Sequence, residues 1–339
     1  MKKIFWLFIL GMLSVFSPLH AGDAPSPWLD AAKREGKLLW YTTTVPSSTD
    51  VIVKRFRERY LFIEVSVYSS NSAKIQERFI NEARNNRNQA DIIKTSTIHV
   101  EQIHLEGSNF LQKYISSEAR AYPAEMRDPD GYWSAIELGT HGVIYSPKLV
   151  PKDQVPRSYT DLLNPRWKGK MGMDDRDEEW FTAMLQILGE AKGIEFMKRL
   201  GLQDLQFRAG GTVLQNLVVA GEFPLLVNGR ANTVEALIKK GAPIDWVAIE
   251  PVHTTVSVVA VPAQAPHPNA AKLFVDWILS AEGQQAQKEA IRIPARPGVY
   301  PDPPRLIKGY KLHVLDGKDM ARNYNRYVGL FRQILMKKR

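Results

Sequence analysis

"SAIELGTHGVIYSP", residues 134–147, is a long strand-like run broken at Gly139. Its counterpart, "TTVSVVAVP" at 254–262, runs back as a second apolar stretch. Alternating strand and helix patterns stand on either side of both. "KLLWYTTT" reads as a buried strand, and "SSTDVIVKRFRERY" as a helix with Ser47 as its cap and Val53, Phe56 and Tyr60 on one face. "FIEVSVYSS" alternates Ile63, Val65 and Val67. "SAKIQERFINEARNN" buries Ile75, Phe79, Ile80 and Ala83, and "ADIIKTST" is a third strand. Strands alternating with helices at this spacing imply a parallel sheet covered on both faces.

Beyond the first crossing the grammar repeats. "GKMGM" is a strand ending at Asp174, Glu178 to Lys192 an amphipathic helix, "LQFRAGG" a strand and turn, and "TVLQNLVVAGEF" its helix. "LLVNGRANTVEAL", residues 225–237, begins as a buried strand and ends as a helix, with Asn232 as cap and Glu235 as its reciprocal partner. The tail from about Lys318 to Arg339 reads as a final helix with Tyr324, Tyr327, Val328, Phe331 and Leu335 on one side. Its aromatic face is expected to pack on a lobe, because apolar helical stripes are usually buried. The crossings at roughly 137–146 and 254–262 form a hinge between two α/β lobes. The expected division is lobe 1 at 22–138, lobe 2 at 139–253, a return to lobe 1 at 254–300, and a tail helix in 301–339. Ligands of open α/β sheets bind beyond the carboxyl ends of the strands, which here line the cleft. Closure on a ligand is hinge-type motion.

The chain has 339 residues, 44% hydrophobic and 24% charged, enough for two cores. Lys2 and Lys3 followed by the apolar run Ile4–Phe16 form a secretory leader, with cleavage expected after Ala21. Cysteine is absent, which excludes a lipid-modified N-terminal cysteine, disulfides, thiolate metal sites and a cysteine nucleophile. A bacterial periplasm is the natural compartment. The formal charge is +9, falling by two to +7 when Lys2 and Lys3 leave. No basic stripe with interleaved aromatics accompanies it, so nucleic acid is not the expected partner. No G-x-S-x-G, H-E-x-x-H, S-x-x-K set or Walker loop occurs, and the expectation is a protein that is not an enzyme.

The chain resembles the periplasmic solute-binding proteins of ABC importers, in the branch containing the ferric-iron binders. "LLWYTTT", "ADIIKTST", "LLNPRWKGKMGM", "AGEFPLLVNG", "KKGAPIDWV", "HPNAAKLFVDWILSAEGQ" and "IPARPGV" carry the likeness over about residues 37 to 299. The resemblance implies a type II periplasmic-binding fold: two α/β lobes, two hinge strands, a ligand in the interlobe cleft, and an ABC permease in the inner membrane as partner. One departure matters. Iron-binding members usually carry two adjacent tyrosines after the strand that ends here at Val227, where this chain has Gly229, Arg230 and Ala231. The loop "TTTVPSS" also lacks the histidine that some of them place there. Phenolates suit a trivalent cation, whereas a guanidinium holds carboxylate or phosphate. The expected ligand is therefore a small anion such as a phosphate ester, phosphonate or carboxylate. Ferric iron with a synergistic anion, helped by Tyr41 or Tyr145, is the alternative, and a sensor for a membrane receptor kinase is another.

The candidate ligand-binding residues are Thr43, Thr44, Ser70, Asn71, Thr140, Arg176, Gly211, Thr212, Asn228 and Arg230. Arg230 leads, because a helix N-terminus and a guanidinium together favour an anion; the plain alternative is an exposed loop arginine. Ser69, Ser70, Asn71 and Ser72 lie between strand and helix, where hydroxyls and free N–H groups hold oxygens or simply cap. Gly210, Gly211 and Thr212 form another strand-to-helix turn after Arg208. His141 on the first crossing reads as structural. Asp174 and Arg176 read as cleft residues, with Asp175 and Asp177 as helix-start acids. Tyr41, Trp133 and Trp180 read as core. No metal site, catalytic group or cofactor is expected, and a monomer is.

Overall fold

The computed structural model describes residues 27–107 and 109–336, so the leader and its cleavage site lie outside the described residues. Lobe 1 opens with α1 (Leu29–Glu35), β1 (Lys37–Thr42), α2 (Pro46–Arg59), β2 (Glu64–Ser69) and α3 (Ser72–Arg84). It continues through β3 (Ile92–Ser96), α4 (Thr97–Glu106) and β4 (Leu111–Gln112) to the crossing strand β5 (Ser134–Tyr145). Lobe 2 holds β6 (Met171–Asp174), α5 (Glu178–Leu188), α6 (Glu190–Gly201), β7 (Gln206–Arg208), α7 (Gly211–Ala220), β8 (Leu225–Arg230), α8 (Ala231–Lys239) and β9 (Asp245–Val247). The return strand is β10 (Val252–Pro262), followed by α9 (Pro268–Leu279), α10 (Ala281–Glu289) and β11 (Ile293–Pro294). The tail carries β12 (Leu312–Val314), α11 (Gly317–Arg322) and α12 (Tyr324–Phe331).

The strand order is β2-β1-β3-β10-β5-β8-β6-β7. β1 pairs in parallel with β2 and β3, and β6 in parallel with β7 and β8. The crossing strands run against both sets. β10 pairs antiparallel with β3 and β5, and β5 antiparallel with β8. β5 changes partner in mid-strand: Thr140 is opposite Thr254 of β10, while the next residue, His141, is opposite Arg230 of β8. That handover links the lobes.

Each lobe has its own apolar interior. In lobe 1, Phe56 packs its ring 5.0 Å from Phe274 and 5.2 Å from Trp277. In lobe 2, Phe181 meets Phe331 of the tail edge-on at 6.0 Å. The tail is not one helix from residue 318: Asn323 separates α11 from α12, and β12 precedes them. Tyr327, Phe331 and Leu335 are buried, while Tyr324 is 39% exposed.

Three helix starts differ from expectation. α8 begins at Ala231 with Arg230, in extended conformation, at the cap position, because β8 runs into the helix without a loop. Asn232 is therefore inside the first turn. Its supposed partner Glu235 instead accepts from Trp246 Nε1 at 2.7 Å and Arg305 Nε at 2.5 Å. α2 starts at Pro46 with Val45 as cap, leaving Ser47 inside, since proline suits the first helical turn. The helix expected over 178–192 stops at Leu188, and α6 starts anew at Glu190 after Gly189 (φ 79°).

Candidate functional site

A cavity of about 300 Å³ lies beyond the carboxyl ends of β6 and β8, against the two crossing strands. Its wall includes His141, Asp174, Arg176, Asp177, Glu179, Gly211, Thr212, Gln215, Asn228, Gly229, Arg230, Thr233 and His253.

The turn after β6 supplies the acidic side. Asp174 accepts from the backbone N–H of Arg176 at 3.1 Å and of Gly210 at 3.2 Å, which ties this turn to the one before α7. Asn228 Nδ2 donates to both carboxylate oxygens of Asp177, at 3.2 and 2.9 Å. Burial pushes the Asp177 carboxyl up to about 7; the Asn228 hydrogen bond opposes this, and the charges of Asp174, Glu179 and Glu178 add to it. The Glu179 carboxyl is raised by burial, with Arg230 pulling it the other way. Among the described residues no hydrogen bond or ion pair engages the Glu179 side chain.

Arg230 supplies the opposite charge. It ends β8, and its backbone carbonyl accepts from Gln215 Nε2 at 3.1 Å. The guanidinium lies over the crossing strand: a Cβ built on Gly139 would stand 3.3 Å from Nη1. Among the described residues that guanidinium has no hydrogen-bond or ion-pair partner, and Arg230 is exposed.

Two histidines form the floor. The rings of His141 on β5 and His253 on β10 have centroids 4.8 Å apart, tilted 32°. His141 Nδ1 lies 2.9 Å from the Gly139 carbonyl and donates to it. Burial, then His313 and Arg230, bring His253 down to about 3. Burial, then His253 and Arg230, hold His141 well below the ordinary imidazole range. Both rings are neutral at physiological pH.

Arg176, Gly211, Thr212, Asn228 and Arg230 of the expected set line this cavity. Thr43, Thr44, Ser70 and Asn71 do not; they finish the carboxyl ends of β1 and β2 in lobe 1. Thr43 N–H donates to Lys94 O, Ser70 N–H to Thr42 O, and Thr44 is 1% exposed. Asn71 caps α3 by accepting from Lys74 N–H at 2.9 Å. Thr140 is a correction: its hydroxyl donates to Leu306 O at 2.6 Å and it is fully buried. Strand alternation sends Thr140 to one face and His141 to the cavity.

Sequence reasoning missed His253, Glu179 and Gln215, and took Asp177 for a helix-start acid. The parity of the crossing strands was the available signal for the histidines. Arg208 pairs with Glu222 at 2.8 Å, away from the cavity. Tyr41 donates to Glu82 at 2.7 Å and Tyr145 to Asp245 at 3.2 Å, and burial, reinforced by those carboxylates, raises both phenol pKa values. Trp133 and Trp180 are buried. Among the described residues no group of three or more His, Cys, Asp or Glu is disposed to hold a metal ion.

Two α/β lobes, two crossing strands and a polar cavity at strand ends define a ligand-binding protein of the periplasmic type. The chain belongs to the bacterial extracellular solute-binding protein family, whose model matches residues 103–323. Members of this family bind small ligands and deliver them to ABC permeases. An uncharacterized protein of Haemophilus influenzae is 27% identical over 280 residues, 79% of either chain. Among solved structures, Trichodesmium FutA, in complex with iron and citrate, has a TM-score of 0.76 at 18% identity, covering 89% of this chain and 100% of that one. AfuA from Actinobacillus pleuropneumoniae, with fructose-6-phosphate bound, has a TM-score of 0.74 at 20% identity, covering 89% and 99%. At such identities the likeness carries the fold.

Proposed function

We propose that this chain is the periplasmic substrate-binding component of an ABC importer that takes a small anionic solute: a phosphate ester, phosphonate or carboxylate. It is exported with its leader removed after Ala21, acts as a monomer and catalyses nothing. Residues 22–138 and 254–300 form one lobe and 139–253 the other, and they close over the ligand. The observation that carries this reading is the unpartnered Arg230 guanidinium at the junction of β8 and α8, facing the cavity. A helix start offers N–H groups and partial positive charge, and a guanidinium adds two parallel donors for a phosphate or carboxylate. The amino-terminal turn of α7, with Gly211 and Thr212, lines the same space. Thr43, Ser70 and Asn71 stand at the carboxyl ends of lobe 1 strands, where closure brings further donors. The engagement of Tyr41 and Tyr145 with carboxylates elsewhere supports an anion over a phenolate-held ferric ion.

A thermal-shift screen of the mature protein against inorganic phosphate, sugar phosphates, alkylphosphonates, citrate and ferric chloride tests the proposal. The expected result is stabilisation by a phosphate, phosphonate or carboxylate that Arg230→Ala abolishes. Stabilisation by ferric chloride alone, or unchanged anion binding in the variant, overturns it.

A further inference from the structure

Resting on that reading of the site, we infer that the anion carries an ammonium group at its other end, seated between Asp177 and Glu179. Acidic side chains outnumber basic ones on the cavity wall. Three carboxylates line it (Asp174, Asp177 and Glu179) against two arginines. One of these, Arg176, has a side chain 78% exposed that sits 3.6 Å from Asp175. A second observation, independent of the acids, points the same way. Gln215 borders the cavity and is 1% exposed; its amide nitrogen is engaged with Arg230 O, and its buried Oε1 has no hydrogen-bond partner among the described residues. His141 donates from Nδ1 to Gly139 O and so presents only a lone pair at Nε2. The Glu179 side chain has no hydrogen bond or ion pair among the described residues, Arg230 acting on it only through its charge.

A buried acceptor left unmade costs about 1–3 kcal/mol, so the occupant must bring N–H or O–H groups. A phosphate alone brings the reverse: its oxygens meet Arg230 well but face the carboxylates as like charges. A hydroxyl satisfies acceptors without answering their charge. An ammonium does both, with three donors and a positive charge. A metal ion is disfavoured because no three of these groups converge. The ligand class is therefore a short aminoalkyl phosphate, phosphonate or carboxylate. The guanidinium and the helix start of α7 hold its head, and the acids hold its tail.

Isothermal titration of the mature protein with ethyl phosphate, 2-hydroxyethyl phosphate and 2-aminoethyl phosphate separates the possibilities. The amine is expected to bind roughly tenfold to hundredfold tighter than ethyl phosphate, the range of charged hydrogen bonds. Asp177→Asn and Glu179→Gln are each expected to shrink that ratio. Equal binding of the three probes, or tightest binding of the hydroxyethyl ester, overturns the inference while leaving the anion site intact. Binding of none of them, nor of inorganic phosphate, brings down the reading of the site itself.

Discussion

Arg230 has two properties that separate its roles cleanly: it is exposed, and among the described residues no hydrogen bond or ion pair engages its guanidinium. Arg230→Ala is therefore expected to change folding stability by less than about 0.5 kcal/mol, as surface substitutions do. Affinity for ethyl phosphate should fall by roughly tenfold to hundredfold, the worth of hydrogen bonds to a charged group. Thermal melting by circular dichroism and titration calorimetry measure the two. Asp177 makes a contrasting case. Its folded-state pKa of about 7 lies above the ordinary value of 3.8, so the fold favours its protonated form. That contribution is full below pH 3.8 and is lost as pH rises through 7. Asp177→Asn, which keeps an acceptor for Asn228, should match the parent near pH 3.5 and melt higher at pH 8. Equal melting at pH 8 would mean that the carboxylate is not strained there. Arg230 could be singled out in the sequence as a guanidinium at a strand-to-helix junction where the resemblance leads one to expect phenols, and the structure puts it on the cavity wall. Asp177 was not, since an acid before a helix reads the same whether it caps, as most do, or turns inward to Asn228. Glu179 and Gln215 lie on helix faces whose orientation only packing decides.

Among the elements, β5 carries the most. Its alternation decides that His141 meets the cavity and Thr140 the buried opposite side against Leu306, and its middle passes from one sheet partner to the other. The break at Gly139 was visible as a glycine in an apolar run; the pairing with Arg230 was not, because register is a property of two strands. Gly142 sits on the lobe 2 half, where a Cβ would stand 2.7 Å from the Val247 carbonyl oxygen and 2.9 Å from Trp246 Cε3. Backbone cannot yield as a side-chain tip does. Gly142→Ala is expected to destabilise by about 1–3 kcal/mol, seen as a lower urea midpoint with unchanged slope. On the lobe 1 half, Glu137 accepts from Lys94 Nζ at 2.8 Å and Arg292 Nε at 2.9 Å. Burial alone would raise its pKa; Arg292 and Lys94 overcome that and hold it at about 2. Glu137→Gln leaves two cations facing one neutral amide and should be destabilising by about 3–5 kcal/mol. Denaturant titration checks it, and a loss under 1 kcal/mol would show that solvent reaches the group. The cap of α8 was misread for a related reason: Asn232 and Glu235 have the right spacing, yet Glu235 is claimed by Trp246 and Arg305 from distant segments.

At the scale of the whole molecule, alternation of strands and helices made the two-lobe plan readable, but the tail was not. β12 is three residues long, and its pairing with β10 leaves no periodic trace. The tail then ties the lobes a third time. Lys318 Nζ lies 2.7 Å from Asp128 Oδ1 on the lobe 1 side, and Asp319 accepts from Gln186 Nε2 at 3.2 Å on the lobe 2 side. Gly317 packs against Thr97 at the start of α4. Closure about β5 and β10 must therefore carry α11 with it or part the Lys318 contact. Ligand at one hundred times its dissociation constant adds about 2.7 kcal/mol of stability whether or not the lobes move. Stability alone thus says nothing about closure, and small-angle scattering supplies the missing measurement. The radius of gyration is expected to fall when 2-aminoethyl phosphate saturates the parent and to stay fixed for Arg230→Ala at the same concentration. If the parent gains the full stability with no change in its radius, the two crossing strands and the α11 contacts hold the lobes rigid, and the cavity binds its ligand without a hinge.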